Sequence, residues 1–165
     1  MDFNNFKSIK EYGFEGYLSV SQLINDHSII PHNRGVYMVL YTPDCCPEFV
    51  TKGSGGFFKG KDPNVPIEEL RDNWVSDTKV IYIGKAGGGK STATLNSRIK
   101  QFVKFGTGKN VAHSGGRHVW QIENNHDLII CWKELPVDEP NDVKRNLIRG
   151  FKKKYKKRPY GNVVD

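Results

Sequence analysis

Short runs of β-branched and aromatic residues alternate along this chain with segments rich in glycine, proline and charge. Such runs predict strands. They lie at residues 35–42 (GVYMVLYT), 79–84 (KVIYIG), 117–122 (RHVWQI) and 127–135 (DLIICWKEL). Only a short turn separates the last two runs, so we expect them to pair in antiparallel fashion.

A helical period occurs in two longer segments, each with apolar side chains three or four residues apart. The apolar positions are Leu95, Ile99, Phe102 and Val103 in residues 91–105, and Val143, Leu147, Phe151 and Tyr155 in the last segment. Such a stripe predicts an amphipathic helix with one face on the core. Shorter patterns predict helices at residues 20–24 and 67–74.

The order β, insertion, β, α, β, β, α predicts one small mixed α/β sandwich. The length of 165 residues suits a single domain with one core. Residues 1–34 are interpreted as a preamble that packs on a domain formed by residues 35–165. Within that domain, residues 43–79 begin with a stretch rich in glycine and proline, which predicts a structured insertion.

The charge of the chain is uneven. Its formal net charge is +7, six of the seven residues 152–158 are basic, and residues 90–109 contain no acid. A basic face of this kind favours a polyanionic partner such as a nucleic acid. The alternative is a solvated basic helix end, which charge alone does not exclude.

Several sequence features indicate the compartment. No apolar run reaches the roughly 18 residues that predict a membrane span, and the first residues lack the basic-then-apolar order of a signal peptide. The cysteines are Cys45, Cys46 and Cys131, with no CxxC spacing typical of zinc sites. These features predict a cytoplasmic protein with reduced thiols.

The turn after the second predicted strand has the letters of a phosphate-binding loop. Residues 84–91 match G-x-x-x-x-G-K-S, follow an apolar run and precede a predicted helix. A nucleotide hydrolase of that type also needs a carboxylate at the end of a buried strand and several parallel strands. Here the run LIICWK ends in Lys133 and Glu134. Nucleotide hydrolysis therefore stays an alternative that the surrounding sequence supports poorly.

A second pattern combines two tripeptides, Gly35-Val36-Tyr37 and Tyr82-Ile83-Gly84, each on a predicted strand. Arg98 follows on a predicted helix, residues 113–122 have the sequence HSGGRHVWQI, and RPYGN near the C-terminus contains Asn162. In these motifs and their order the chain resembles the GIY-YIG nuclease family, especially its small stand-alone bacterial members. The resemblance implies an α/β (α+β) sandwich with a three-stranded, mainly antiparallel sheet flanked by helices.

The resemblance also implies a function, the hydrolysis of nucleic-acid phosphodiester bonds with one divalent cation, Mg²⁺ or Mn²⁺, and DNA favoured over RNA. Tyr37 and Tyr82 would lie side by side, and one phenol would orient or deprotonate the attacking water. Arg98 would offset transition-state charge, and Asn162 would support the site. Arginine suits this role because it stays charged and can bind a phosphate through two N–H groups.

Spacing predicts how these side chains are oriented. Arg98 borders the apolar stripe of its helix, so we expect it near the sheet. Tyr37 should share a strand face with Val39, and Tyr82 with Val80, because alternate residues of a strand point the same way. Strand tyrosines are commonly core residues, and only the pairing with the glycines favours a functional role.

Further candidates for substrate binding are Lys85, Lys90, His113, Arg117 and Lys144. His113 could act as a base or proton relay, although loop histidines are commonly surface residues. Arg117 and Lys85 could each contact a phosphate. Lys90 lies in the glycine-rich turn ahead of a helix, whose N-terminal amides attract anions. Trp120 is expected to be a core residue.

One position departs from the family pattern. The metal-binding glutamate of the family precedes a Leu-Ile pair by three residues, and here the pair at residues 147–148 places Lys144 there. Asp142 would point about 200° away on the helix, whereas Glu134 and Glu139 could turn toward the site. Magnesium prefers carboxylates and water, and an ammonium group repels it.

Three functional hypotheses follow. The chain is an endonuclease despite Lys144, a catalytically inactive module that binds nucleic acid on the same scaffold, or a nucleotide hydrolase. No added recognition domain is evident in the sequence. Any substrate specificity is therefore assigned to the domain itself or to a partner, with the insertion at residues 43–79 as the first candidate.

Overall fold

A computed structural model describes residues 1–164, apart from the side chain of Ser114. Its helices are α1 (Phe6–Glu11), α2 (Val20–Asn25), α3 (Ile67–Asn73), α4 (Leu95–Gly106) and α5 (Pro140–Tyr155). Its strands are β1 (Glu15–Ser19), β2 (Gly35–Leu40), β3 (Val80–Ala86) and β4 (Ile129–Glu134). Short 3-10 segments lie at Phe58–Gly60, Ser114–Gln121 and Asn125–Asp127.

Within residues 1–164 the strands form an antiparallel sheet in the order β1-β4-β2-β3. Strand β2 is central, and its Tyr37 lies opposite Gly84 of β3 and Trp132 of β4. The predicted strands at residues 35–42, 79–84 and 127–135 are confirmed within two residues. The two tripeptides therefore lie on neighbouring strands, with β3 at an edge of the sheet.

Each face of the sheet carries its own hydrophobic core. On one face Tyr37 and Val39 pack with α4, through residues such as Ile99 and Phe102. On the other face Val36, Met38 and Leu40 pack with α5. Because all six residues of β2 are buried, neither face of this strand contacts solvent. The prediction of a mixed α/β sheet flanked by helices is confirmed.

Among the described residues, no helix has both the length and the apolar character needed to cross a membrane.

The expected three-stranded sheet is wrong in its strand count, because the preamble supplies a fourth strand. Strand β1 pairs with β4, with Ser19 opposite Ile129. The signal for β1 in the sequence is weak, because the strand has only five residues and an irregular register. Gly16 and Tyr17 both have positive φ, at 92° and 52°, which interrupts the alternation that identifies a strand.

The predicted strand at residues 117–122 is also wrong, because this region lies in the 3-10 segment Ser114–Gln121. Its apolar residues are buried consecutively, without strand alternation, in a corner between α4 and the insertion. Trp120 is 0% exposed, which confirms the expectation of a core residue. The insertion satisfies the backbone there: Ser54 and Val50 donate N–H groups to the carbonyl oxygens of Trp120 and Gln121.

A bulge in β3 overturns one expectation about strand faces. Val39 lies opposite Tyr82, but the next residue, Leu40, lies opposite Val80. The extra residue between them, Ile81, shifts the alternation, as a β-bulge does. Tyr82 therefore packs on the same face as Val39, whereas Val80 packs on the opposite face.

Candidate nucleic-acid interface

The two tripeptides bring a pair of tyrosines together on one face of the sheet. The ring centroids of Tyr37 and Tyr82 are 5.9 Å apart, with planes inclined by 57°. Tyr37 is 1% exposed and Tyr82 is 6% exposed. The rings lie side by side, and both are also part of the hydrophobic core.

Phe102 of α4 and His113 pack against this pair. The ring of Phe102 stacks on Tyr82 at a centroid distance of 5.5 Å and meets His113 edge-on at 5.1 Å. The Nε2 atom of His113 lies 3.5 Å from the Tyr37 hydroxyl oxygen. At 2% exposure, His113 is not a surface histidine. We call Tyr37, Tyr82, Phe102 and His113 the tyrosine–histidine cluster.

Burial has the largest effect on the protonation of this cluster. It raises the pKa of Tyr37 well above its usual value, raises the pKa of Tyr82, and lowers the pKa of His113 to about 3. The positive charge of Arg98 opposes the rise at both tyrosines and adds to the fall at His113. At neutral pH the two phenols and the imidazole are therefore uncharged.

Arg98 is the charged residue beside the cluster. It is half-buried on α4, and its Nη1 donates to Oε1 of Gln101 at 2.6 Å. One helical turn separates Arg98 from Phe102 of the cluster, and its positive charge acts to lower the pKa of Tyr37, Tyr82 and His113. Arg98 and the neighbouring cluster thus supply guanidinium and phenol donors, a combination that favours an anionic ligand.

Asn162 supports the edge strand that carries Tyr82. Its Oδ1 accepts a hydrogen bond from the N–H of Ile83 at 2.9 Å, and its Nδ2 donates to the carbonyl oxygen of Ile83 at 2.9 Å. The N–H of Gly161 donates to the carbonyl oxygen of Ile81 at 2.7 Å. Residues 161–162 therefore take the place of a neighbouring strand and satisfy the backbone of β3.

The glycine-rich turn after β3 differs from a phosphate-binding loop. Residues 87–89 have φ angles of 77°, 93° and 57°, and the following helix begins only at Leu95. Thr94 and Ser97 form a capping box at the start of α4, which satisfies amides that would otherwise hold an anion. Residues 90–91, which include the candidate Lys90, are exposed in the turn.

A carboxylate of the protein itself contacts this glycine-rich turn. Oε1 of Glu139 accepts a hydrogen bond from the N–H of Gly89 at 3.1 Å. On the strand side, Nζ of Lys85 donates to the carbonyl oxygen of Gly87 at 3.0 Å. Since the turn is held by these internal contacts, its geometry does not support the nucleotide-hydrolase alternative.

The side chains near position 144 do not fit a magnesium ion. Lys144 is half-buried near the start of α5 and contributes an ammonium group. Among residues 1–164, no three His, Cys, Asp or Glu side chains are grouped so as to hold a metal ion. The acidic residues considered as replacements are each engaged by protein donors: Glu134 by Asn33, Glu139 by Gly89 and Asn141, and Asp142 by Arg145.

The remaining cationic candidates are dispersed. Arg117 lines a separate cavity with Phe58 of the insertion. In the basic run at residues 152–158, Lys154 forms an ion pair with Asp2 at 2.8 Å. Lys157 donates to a backbone carbonyl oxygen at 2.7 Å. Part of the C-terminal charge is therefore paired within the chain.

The sequence does not predict the roles that three residues have at the site. Phe102 was assigned to the apolar stripe, and its contact with His113 required the tertiary fold. Gln101, which accepts from Arg98, is three residues away on the same helix, so its spacing was the available signal. Glu139 was considered as a metal ligand, whereas it caps α5 and binds the glycine-rich turn.

Comparisons with protein-family models, with curated proteins and with solved structures find no match to this chain.

Proposed function

We propose that this chain binds nucleic acid on a GIY-YIG-type scaffold and holds a backbone phosphate beside the tyrosine–histidine cluster. One observation carries the proposal: Arg98, half-buried on α4, lies one helical turn before Phe102, whose ring packs on Tyr82 and His113. A phosphate would accept hydrogen bonds from the guanidinium and from the phenols. The net charge of +7 supports a polyanionic partner.

The protonation of the cluster favours binding over hydrolysis. A general base works best with a pKa near the operating pH. The pKa of His113 is lowered to about 3, and burial keeps Tyr37 protonated by raising its pKa. Neither group is poised to take a proton from water at neutral pH. Lys144 also stands where the family would place a metal-binding carboxylate, so we derive no step that passes through a metal.

Salt-dependent binding of a labelled DNA duplex tests the proposal. We expect the logarithm of the association constant to fall linearly with the logarithm of salt concentration, because phosphate contacts release counterions. Arg98→Gln should weaken binding and reduce the salt slope by about one. Lys7→Gln makes the same charge change on exposed α1 and should leave binding nearly unchanged. Equal effects of both variants, or no binding by the intact chain, would refute the proposal.

Metal-dependent phosphodiester hydrolysis is a second candidate, and the side-by-side rings of Tyr37 and Tyr82 support it. The chain and its Lys144→Glu variant should be incubated with supercoiled plasmid and Mg²⁺ or Mn²⁺. Nicking by Lys144→Glu alone would support an inactivated nuclease site, and nicking by both would support an active enzyme. Tyr37→Phe in the Lys144→Glu background is the control and should abolish the nicking. If neither chain cuts, the hydrolytic candidate fails.

A further inference from the structure

The insertion at residues 43–79 forms one wall of a cavity beside the candidate site. Gln121, which is 1% exposed, anchors it. The Oε1 of Gln121 accepts from the N–H of Val65 at 2.8 Å, and its Nε2 donates to the carbonyl oxygens of Val50 at 3.1 Å and Val65 at 2.9 Å. The N–H of Gly56 donates to the carbonyl oxygen of Phe105 at 2.8 Å. The insertion is therefore fixed against the C-terminal end of α4.

Between the insertion and α4 lies a cavity of about 390 Å³, which we call the insertion pocket. Its walls combine aromatic and cyclic side chains with cations: Phe58, Pro63, Phe105, Lys59, Lys61 and Arg117. Asp62 is the acidic residue of the lining. Its carboxylate accepts from the N–H of Asn64 at 2.8 Å and from Nδ2 of Asn64 at 2.6 Å, so it is engaged in a local turn.

Arg117 indicates the charge of the ligand. Its Nε is buried and has no hydrogen-bond partner within the part of the chain that the structure describes. The Arg117 side chain lines the cavity, and a guanidinium binds anionic oxygens through its N–H groups. Lys59 and Lys61 line the same cavity, so a phosphate there would be surrounded by positive charge.

The aromatic part of the cavity lining indicates that the ligand carries a nucleobase. Phe58 is half-buried, and the ammonium group of Lys59 lies 5.5 Å from its ring centroid. Lys59 itself has a φ of 52°, a left-handed conformation that is uncommon outside glycine and recurs at ligand-binding sites. Aromatic rings that stack on bases, next to cations that bind phosphates, are typical of sites for single-stranded nucleic acid.

The insertion pocket adjoins the tyrosine–histidine cluster through one short segment. His113 directly precedes the 3-10 segment that contains Arg117. Within that segment Gly116 lies against the ring of Tyr82, since a Cβ on it would come within 3.4 Å of that ring. A strand that passes the cluster with one phosphate at Arg98 would therefore have the insertion pocket next to its path.

From these contacts we infer that the insertion pocket holds an unpaired nucleotide, with its base on Phe58 and its phosphate at Arg117, Lys59 and Lys61. The inference rests on the proposed nucleic-acid function and narrows its substrate class. The preferred ligand is a nucleic acid with a single-stranded segment beside a duplex, such as an overhang or a flap, rather than a continuous duplex.

Fluorescence anisotropy with three DNA probes tests this inference: a blunt duplex, the same duplex with a single-stranded overhang, and the overhang sequence alone. We expect the full chain to bind the overhang duplex about tenfold more tightly than the blunt duplex. This difference is the gain in affinity expected from one base that stacks on an aromatic ring. Phe58→Ala should remove this preference and leave blunt-duplex binding unchanged. Lys61→Gln, at an exposed residue, should reduce the preference without affecting folding, whereas Lys7→Gln should retain it.

The outcomes separate the two proposals. If the chain binds no probe, the proposed function fails. If it binds the blunt and overhang duplexes equally, or if Phe58→Ala and Lys61→Gln both keep the preference, only the insertion-pocket inference is overturned. Adenosine monophosphate is added as a competitor. Displacement of the overhang duplex by this mononucleotide at equal concentration would also overturn the inference, because the pocket would then select a free nucleotide.

Discussion

The phenol ring of Tyr37 lies across Gly84 of the neighbouring strand, where a Cβ atom would collide with Cζ and the hydroxyl oxygen. The two residues are opposite each other in the register of β2 and β3. The glycine of one tripeptide is therefore required by the tyrosine of the other. This contact gives a physical reason for the two tripeptides to occur together, independent of any chemistry at the site.

Gly84→Ala is expected to destabilise the protein by about 1–3 kcal/mol, the usual effect of overpacking a core. Tyr37 is 1% exposed, so its ring has little room to move aside. Gly150→Ala is the matched control, since the nearest atom to its Cβ is 3.9 Å away on an exposed part of α5. That change should stabilise by about 0.5–1 kcal/mol. Urea denaturation measures the free energy of unfolding of both variants. A Gly84→Ala protein as stable as the wild type would contradict the packing argument.

Asn162→Ala should destabilise the protein by about 1–3 kcal/mol, because it leaves the N–H and the carbonyl oxygen of Ile83 without their partner. Asn146→Ala, at an exposed position of α5, should change stability by less than about 0.5 kcal/mol. Hydrogen exchange of the Ile83 amide provides a local measurement. Exchange that stays as slow as in the wild type would show that Asn162 does not protect the edge of β3.

His113 should make stability depend on pH in the acidic range. Its pKa in the folded protein is about 3, below the usual value of 6.5, because of burial and then Arg98. Between these values the unfolded chain binds a proton that the folded chain does not, so stability falls as pH decreases, by at most about 1.4 kcal/mol per pH unit. The pKa of His118 is also lowered, chiefly by burial, and contributes in the same direction.

Thermal or urea unfolding between about pH 4.5 and 6.5 measures this effect, above the range in which carboxylates dominate. His113→Asn should flatten the pH dependence relative to the wild type, whereas His126→Asn, which changes an exposed imidazole, should leave the slope as it is. Equal slopes for the wild type and His113→Asn would mean that the imidazole of His113 takes up protons in the folded state as readily as in the unfolded chain.

The thiols should fall into two reactivity classes. Cys45 and Cys46 are exposed, whereas Cys131 is buried and its pKa is raised to about 12, mainly by burial. The thiolate is the reactive form, so Ellman's reagent should modify two thiols rapidly in the native protein and the third only after unfolding. In the double variant Cys45→Ser/Cys46→Ser the rapid phase should vanish, and a persisting rapid phase would show that Cys131 is accessible.

The local sequence pattern was sufficient to predict two of the helices and three of the strands. The apolar stripes of α4 and α5 and the dense β-branched runs of β2, β3 and β4 identified these elements, because burial of a helix or strand face imposes a fixed period on the sequence. Trp120 was likewise expected in the core and is buried there. The antiparallel pair expected from the short turn between residues 117–122 and 127–135 was wrong, because the first of these runs lies in a 3-10 segment and β4 pairs with β1 and β2 instead.

The local sequence pattern failed where backbone N–H and C=O groups form hydrogen bonds with residues that are distant in sequence. Strand β1 pairs with β4, whose residues are more than 100 positions later, and its own alternation is interrupted by Gly16 and Tyr17. The region at residues 117–122 has strand-like composition, yet the carbonyl groups of Trp120 and Gln121 are paired with the insertion. The bulge at Ile81 moved Tyr82 to the face opposite the one occupied by Val80.

By itself the sequence determined the candidate chemistry: two tyrosines, one arginine, an excess of positive charge and a lysine at the position where the resemblance calls for a carboxylate. Only the tertiary structure decided which groups meet. It buried His113 against Tyr37, used Glu139 to hold the glycine-rich turn, and placed Arg117 in a cavity of the insertion. The physical reason is that side-chain identity is local, whereas desolvation and hydrogen-bond partners depend on residues far apart in the chain.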